Sequence, residues 1–120
     1  MAKQITLPVF DTACCAPLAD EPLTPEQAGA LAPMFKALGD PIRLRLLSLI
    51  ASSGGEVCVC ELTGRFEVTG PTISHHLKVL REAGLIDGER RGTWVYYRVR
   101  PAVLDQLAGV LQTGRPAAAR

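Results

Sequence analysis

Four cysteines carry the most specific chemistry in this chain of 120 residues. They form two close pairs, Cys58 with Cys60 and the adjacent Cys14 and Cys15. Thiolates are soft ligands that select soft ions, so the two pairs together predict a metal or metalloid site. Three thiolates suit trivalent arsenic or antimony, whereas four suit cadmium, lead or zinc.

Burial is the alternative explanation, because cysteine is among the most buried residue types and Cys58 alone could be a small core residue. Two thiol pairs in one chain are harder to explain by packing. The sequence has no apolar stretch of membrane-spanning length and no secretory signal, so we expect a cytoplasmic protein with reduced thiols. Structural disulfides are not expected there, and thiol oxidation is a further possible use of the cysteines.

Cys58 and Cys60 lie at the start of a short helix predicted to run to about Phe66. A helix N-terminus favours the thiolate form of cysteine, because backbone amides point towards it. Residues two apart on a regular helix diverge by about 200°, so both sulfurs can bind one ion only if the first turn distorts. Cys14 and Cys15 lie in residues 1–23, which lack periodicity, and we predict a flexible arm that can fold onto the ion.

Residues 69–86, TGPTISHHLKVLREAGLI, predict an amphipathic helix. Its apolar positions recur close to the 3.6-residue helical period. The opposite face carries hydroxyls, an imidazole and a cation, which suit the base edges and phosphates of a DNA major groove. His76 is predicted to lie nearer the core boundary as a hydrogen-bonded residue. The predicted DNA contacts from this helix are Thr72, Ser74, His75 and Lys78.

A short basic segment, GERRGTWVYYRVR, follows this helix and predicts a β-hairpin. Its strands are expected at 85–87 and 94–99, joined through a turn region at 89–92. Arg90 and Arg91 would then lie beside the helix and contact phosphate or the minor groove, although a solvated turn is the alternative. A groove-reading helix followed by a basic hairpin is typical of a winged helix-turn-helix.

Charge is distributed in agreement with this interpretation, although the formal net charge is only +1. Residues 1–70 contain five Lys and Arg against eight Asp and Glu. Residues 71–100 contain six against three, together with both histidines. The positive charge therefore coincides with the predicted helix and wing, as expected of a phosphate-binding face.

The remaining segments predict supporting helices. Thr24 is expected to begin a first helix that ends near Leu31, after which Pro33 restarts the chain into a short helix. Asp40 opens the next helix, whose apolar residues are dense enough to predict full burial. A last helix begins at Pro101, and its apolar stripe is long for a terminal helix unless a partner subunit covers it.

The predicted fold class is mainly α with a small β-hairpin, a winged helix-turn-helix. We expect the arm at residues 1–23, one DNA-binding and dimerisation domain at 24–112, and a disordered tail at 113–120. Hydrophobic residues make up 48% of the chain and charged residues 21%, which is ordinary for a globular protein.

Three segments together resemble the ArsR/SmtB family of metal- and metalloid-responsive repressors: FKALGDPIRLRLLSLI, CVCEL, and PTISHHLKVLREAGLI with the basic hairpin after it. They cover roughly residues 34–100. The resemblance implies a homodimer held by the first and last helices. It also implies a palindromic operator and release of DNA when an effector binds.

The resemblance also implies a ligand set. In this family the CVCEL position holds a soft-metal site, which here gives Cys58 and Cys60. A common version, ELCVCDLC, has a third cysteine where this chain has Thr63, so Cys14 and Cys15 must supply the rest, within or across subunits. The motif is similar to the arsenic-sensing branch, which implies As(III) or Sb(III) as effector, with Cd(II) or Pb(II) as the alternative.

The rival from another class is a soft-metal chaperone or a thiol redox protein. Such a protein would use the same cysteines but has no need of the amphipathic helix or the basic hairpin. No grouping of residues typical of an enzyme active site supports catalysis, so we predict that the chain is not an enzyme.

Overall fold

A computed structural model of the chain describes residues 21–66 and 69–112. Within those ranges the fold consists of five helices and one small three-stranded antiparallel sheet. In chain order the elements are α1 (Pro25–Leu38), α2 (Pro41–Ala51), β1 (Val57–Cys58), α3 (Val59–Thr63), α4 (Gly70–Glu82), β2 (Ile86–Arg91), β3 (Trp94–Val99) and α5 (Pro101–Val110). The mainly helical fold with a hairpin is confirmed. The predicted arm, apart from residues 21–23, and the tail lie outside the described residues.

The helix starts follow from local capping residues. The backbone N–H of Thr24 donates to Gln27 Oε1 at 3.0 Å, and the N–H of Gln27 donates to Thr24 Oγ1 at 3.1 Å. This reciprocal pair is a capping box, as the sequence predicts. The carboxylate of Asp40 accepts the N–H groups of Ile42 and Arg43 at the start of α2.

One expectation about the first helix is wrong, because Pro33 lies inside a continuous α1 instead of dividing it. A proline in a helix interior removes one backbone hydrogen bond and usually kinks or ends the helix. Here Leu31, Met34 and Ala37 are each 2% exposed, so buried contacts lie on both sides of the proline. These contacts keep the two halves of α1 in one helical register.

The expectation of full burial for α2 is also wrong. Leu46, Leu47 and Ile50 are buried, but Leu44 is 53% exposed. Only one face of α2 packs against the core, because the segment carries two arginines that stay at least partly in solvent. The helix is therefore amphipathic in spite of its dense apolar composition.

α4 has the apolar face that the sequence predicts, since Ile73, Leu77 and Leu80 are all completely excluded from solvent. The helix ends through Gly84, whose φ is +85°. The N–H of Gly84 donates to the carbonyl of Arg81, and the N–H of Leu85 donates to that of Leu80. This pair of bonds is a Schellman motif, and it directs the chain from α4 into β2.

The sheet has the strand order β1-β3-β2. β2 is longer than predicted and continues through Arg91, so the turn is Gly92-Thr93 and not the region 89–92. Gly92 has a φ of +66°, the positive value that tight hairpin turns require at this position. We call the β2–β3 hairpin the wing. β1 was not predicted, because a strand of only two residues is too short to show a pattern in the sequence.

Gly84 provides a test of this fold. Ala at Gly84 must adopt the strained left-handed conformation, so G84A should destabilise the protein by about 1–3 kcal/mol. Gly70, at the other end of α4, has open space around it and no positive φ, so G70A should be neutral or stabilising by up to about 1 kcal/mol. Urea denaturation measures both, and equal stability of the two variants would contradict the prediction.

Candidate thiol site and DNA-binding face

Cys58 has a structural role as well as a thiol. It is the last residue of β1 and the N-cap of α3, with extended backbone angles. Its side chain is 7% exposed, and its Sγ accepts the backbone N–H of Cys60 at 3.2 Å. Because Cys58 lies before the helix and not in it, the expected distortion of the first helical turn is not needed to bring the two side chains together.

Cys60 is exposed and interacts directly with Cys58. The pKa of the Cys60 thiol is raised, first by a hydrogen bond with the Cys58 side chain and then by partial desolvation, with smaller contributions from the charges of Cys58 and Glu61. The expectation that a helix N-terminus favours the thiolate is therefore wrong for Cys60. α3 has only five residues, so its dipole is weak beside these local effects.

An open groove lies beside Cys60, with a volume of ≈ 580 Å³. Ser52, Ser53, Glu61 and Arg65 contribute polar groups to its walls. Within the described ranges no cluster of three or more Cys, His, Asp or Glu could hold a metal ion. Cys58 and Cys60 thus offer two soft donors, and the other predicted ligands, Cys14 and Cys15, lie outside the described residues.

The outward face of α4 carries three of the predicted DNA-contacting residues. Ser74, His75 and Lys78 are exposed. Thr72 is half-buried, and its hydroxyl bonds to that of the N-cap residue Thr69 at 2.9 Å. The helix N-terminus is also exposed at Gly70, and the helix dipole favours a negative charge there.

Arg43 fixes the position of α4 against the other helices. Its Nε donates to the carbonyl of Ala37 in α1 at 2.7 Å, and its Nη1 lies 3.1 Å from His76 Nδ1 in α4. His76 is therefore a hydrogen-bonded residue at the core boundary, as predicted, and its ring centre lies 5.7 Å from that of the exposed His75. Sequence reasoning missed the role of Arg43, because its partner is 33 residues away.

The two adjacent arginines of the wing are both in β2, with their side chains on opposite faces of the sheet. Arg90 pairs with Val95 across the hairpin, and Arg91 pairs with Trp94. Both arginines are exposed. Within the described residues Arg90 forms no ion pair, so its charge is available to an anionic partner.

Arg91 is held by two carboxylates. Its guanidinium donates to Glu56 in a bidentate arrangement, at 2.6 and 3.0 Å, and to Glu89 at 3.0 Å. These bonds raise the pKa of Arg91 and lower that of Glu89. The guanidinium also lies over the ring of Tyr96, 4.7 Å from its centre.

Comparison with known proteins agrees with this arrangement. Residues 40–87 match the model of the family described as "Bacterial regulatory protein, arsR family". A solved structure titled "Possible transcriptional regulator for arsenical resistance" is similar, with a TM-score of 0.58, 37% identity, and coverage of 63% of this chain and 77% of that chain. The chain belongs to the arsR family of bacterial regulatory proteins.

Two curated relatives of this arsR-family chain show where the similarity lies. The arsenic resistance transcriptional regulator ArsR1 of Pseudomonas putida is 53% identical over 66% of this chain and 61% of its own length. The arsenical resistance operon repressor of Escherichia coli is 43% identical over 58% of this chain and 59% of its own length. The similar segment thus spans about three fifths of each relative.

These arsR-family relatives are transcriptional regulators and not enzymes, in agreement with the sequence-based expectation. Among the residues that the structure describes, no helix has both the length and the apolar character needed to cross a bilayer.

The pKa of Cys60 can be tested by removing the groups that raise it. Because the hydrogen bond with Cys58 has the largest effect, Cys58→Ala should lower the pKa of Cys60 and speed its alkylation by iodoacetamide near neutral pH. Glu61→Gln should have a smaller effect in the same direction. The alkylation rates of both variants are compared in a Cys14→Ser/Cys15→Ser background. A larger rate increase in Glu61→Gln than in Cys58→Ala would contradict this order of causes.

Proposed function

We propose that this arsR-family protein is a cytoplasmic transcriptional repressor that binds a palindromic operator as a homodimer. Trivalent arsenic or antimony, bound by cysteine thiolates, releases it from DNA. The observation that carries the proposal is the position of the thiol pair. Cys58 pairs with Tyr96 of the wing, and the short helix α3 that holds Cys60 packs against both α4 and β3.

The proposed DNA contacts come from α4 and the wing. Ser74, His75 and Lys78 reach base edges or phosphates from the exposed face of α4, and the hydroxyl of Thr72 lies at its margin. Arg90 and Arg91 contact phosphate or the minor groove from the wing. Arg90 is free to do so directly, whereas Arg91 does so through the guanidinium N–H groups that its bonds to Glu56 and Glu89 leave unused.

The proposed effector site combines Cys58 and Cys60 with one or both of Cys14 and Cys15, from the same subunit or its partner. Thiolates favour soft ions, and the names of the relatives support arsenic over cadmium or lead. Coupling between an effector and a second ligand is commonly about 1–3 kcal/mol and must be reciprocal. Operator DNA should therefore weaken effector binding by the same factor.

The proposed homodimer is supported by apolar side chains left in solvent on the last helix. Leu111, at the end of α5, is 58% exposed, and Leu104 is only partly buried. A second subunit packed on α1 and α5 would cover them. Two copies of α4 could then enter successive major grooves, which is the geometry that a palindromic operator requires.

The effector is tested by titrating arsenite, antimonite, cadmium, lead and zinc into protein bound to a fluorescent operator that was selected from random duplexes. Arsenite and antimonite should release the parent protein at the lowest concentrations. Cys58→Ser/Cys60→Ser should bind the operator but lose the response, because two of the ligands are gone.

The Cys14→Ser/Cys15→Ser variant serves as the matched comparison. It should lose the response if the arm supplies the third thiolate. Release of Cys58→Ser/Cys60→Ser by arsenite would show that the effector site lies elsewhere, and preferential release by cadmium or lead would favour the alternative effector.

The DNA-binding face is tested by the salt dependence of operator binding. Loss of one phosphate contact reduces the slope of log K against log salt by about 1, so Lys78→Ala should weaken binding and lower the slope. Arg65 is exposed in the groove beside Cys60 and is not one of the proposed DNA contacts, so Arg65→Ala should leave the slope unchanged. Equal slopes for Lys78→Ala and the parent protein would remove Lys78 from the interface.

A further inference from the structure

The backbone ladder that joins β1 to the wing is short. β1 has two residues, and its register with β3 consists of Val57 opposite Tyr97 and Cys58 opposite Tyr96. So few backbone pairs give a weak connection by themselves. Further interactions must hold β1 against the wing if movement at Cys58 is to reach it.

Glu56, immediately before β1, provides such an interaction. Its carboxylate accepts the bidentate pair of bonds from Arg91 in β2, and a third bond from Arg98 in β3 at 3.4 Å. One side chain beside the thiol strand is therefore tied to both strands of the wing. Arg91 lies 35 residues after Glu56 in the sequence, and Arg98 lies 42 residues after it.

The side chains concerned share one face of the sheet with Cys58. Cys58, Tyr96 and Glu89 lie in directly opposed positions on the three strands. Arg91, two residues from Glu89, lies on the same face and covers the ring of Tyr96. The carboxylate of Glu56 thus reaches across the row that contains Cys58.

Glu89 differs from Glu56 in its position. It forms ion pairs with the same two arginines, but it is itself a residue of the wing. It lies 3.0 Å from Arg91 and 3.7 Å from Arg98. Glu89 therefore balances the charge within the hairpin. Glu56 contacts the same guanidinium groups, but it lies in a different part of the chain.

We propose that Glu56 is a coupling residue that fastens the thiol-bearing strand β1 to the wing, so that an ion bound at Cys58 and Cys60 repositions the wing on DNA. This inference rests on the proposed function. The ion binds at the thiols, and the carboxylate of Glu56 transmits the resulting displacement of β1 to Arg91 and Arg98. α4 is then only one of two outputs, and the wing is the other.

The first experiment compares Glu56→Gln with Glu89→Gln, which remove the same charge from the same cluster. For each variant the operator Kd is measured with and without arsenite, and the ratio of the two is compared with that of the parent protein. Glu56→Gln should reduce this ratio by roughly 2- to 30-fold. Glu89→Gln should retain it, because β1 stays tied to the wing.

The results distinguish failure of the inference from failure of the proposed function. If arsenite does not raise the Kd of the parent protein, the proposed function fails. If it does, and Glu56→Gln keeps the full ratio or Glu89→Gln loses as much, Glu56 is not the coupling residue.

A second experiment uses amide hydrogen exchange of the free protein and needs no effector. Glu56→Gln should accelerate exchange at the amides of the β1–β3 ladder roughly two- to fivefold, because the link between them is weaker. Glu89→Gln should change these amides less. Unchanged exchange in Glu56→Gln would show that Glu56 does not fasten β1 to the wing and would overturn the inference.

Discussion

Exclusion of three α4 side chains from water is the constraint on which the rest of this structure depends. Ile73, Leu77 and Leu80 have no exposed surface, and burial of each such side chain contributes about 1.5–3 kcal/mol. With that face committed to the core, the helix cannot rotate, and Ser74, His75 and Lys78 must face outwards. The bond from Arg43 to His76 then ties the same helix to α2, and the Schellman motif at Gly84 sets the direction in which the chain leaves for the wing. The proposed DNA-binding face is thus the face of α4 that does not pack against the core.

The small sheet connects the thiol pair to the wing. β1 supplies Cys58 to the thiol pair, and its two residues, Val57 and Cys58, pair with β3 of the wing. The proposed sensor needs no long pathway between its sites, because the proposed ligand Cys58 and the wing are neighbours in one ladder. The raised pKa of Cys60 favours the protonated thiol in the free protein. An incoming ion must displace that proton, so its binding is linked to pH.

Local sequence signals predicted the parts of the fold that local interactions determine. The capping box of Thr24 and Gln27, the aspartate cap of α2 and the apolar face of α4 each depend on residues within a turn or two of one another. Predictions failed where the local structure depends on contacts between residues that are far apart in the sequence. Pro33 is tolerated because buried residues on both sides hold α1 together. β1 is too short to show a pattern. The side chains that bond to those of Arg43 and Glu56 lie more than 30 residues away along the chain. For the candidate site, the sequence predicted the thiols and the exposed face, but neither the capping role of Cys58 nor the carboxylates around Arg91.

Cys58 and its neighbours differ in how freely they can change during evolution. Cys58 is buried, caps α3 and belongs to the β1–β3 ladder, so a substitution there disturbs the structure as well as the proposed ligand set. Cys60 is exposed and Thr63 is only partly buried, and neither takes part in the sheet. Donor atoms can be added or removed at these two positions while the connection to the wing is preserved. If the proposed site binds an ion, its selectivity can therefore diverge between descendants of this protein while the contact between β1 and the wing is retained.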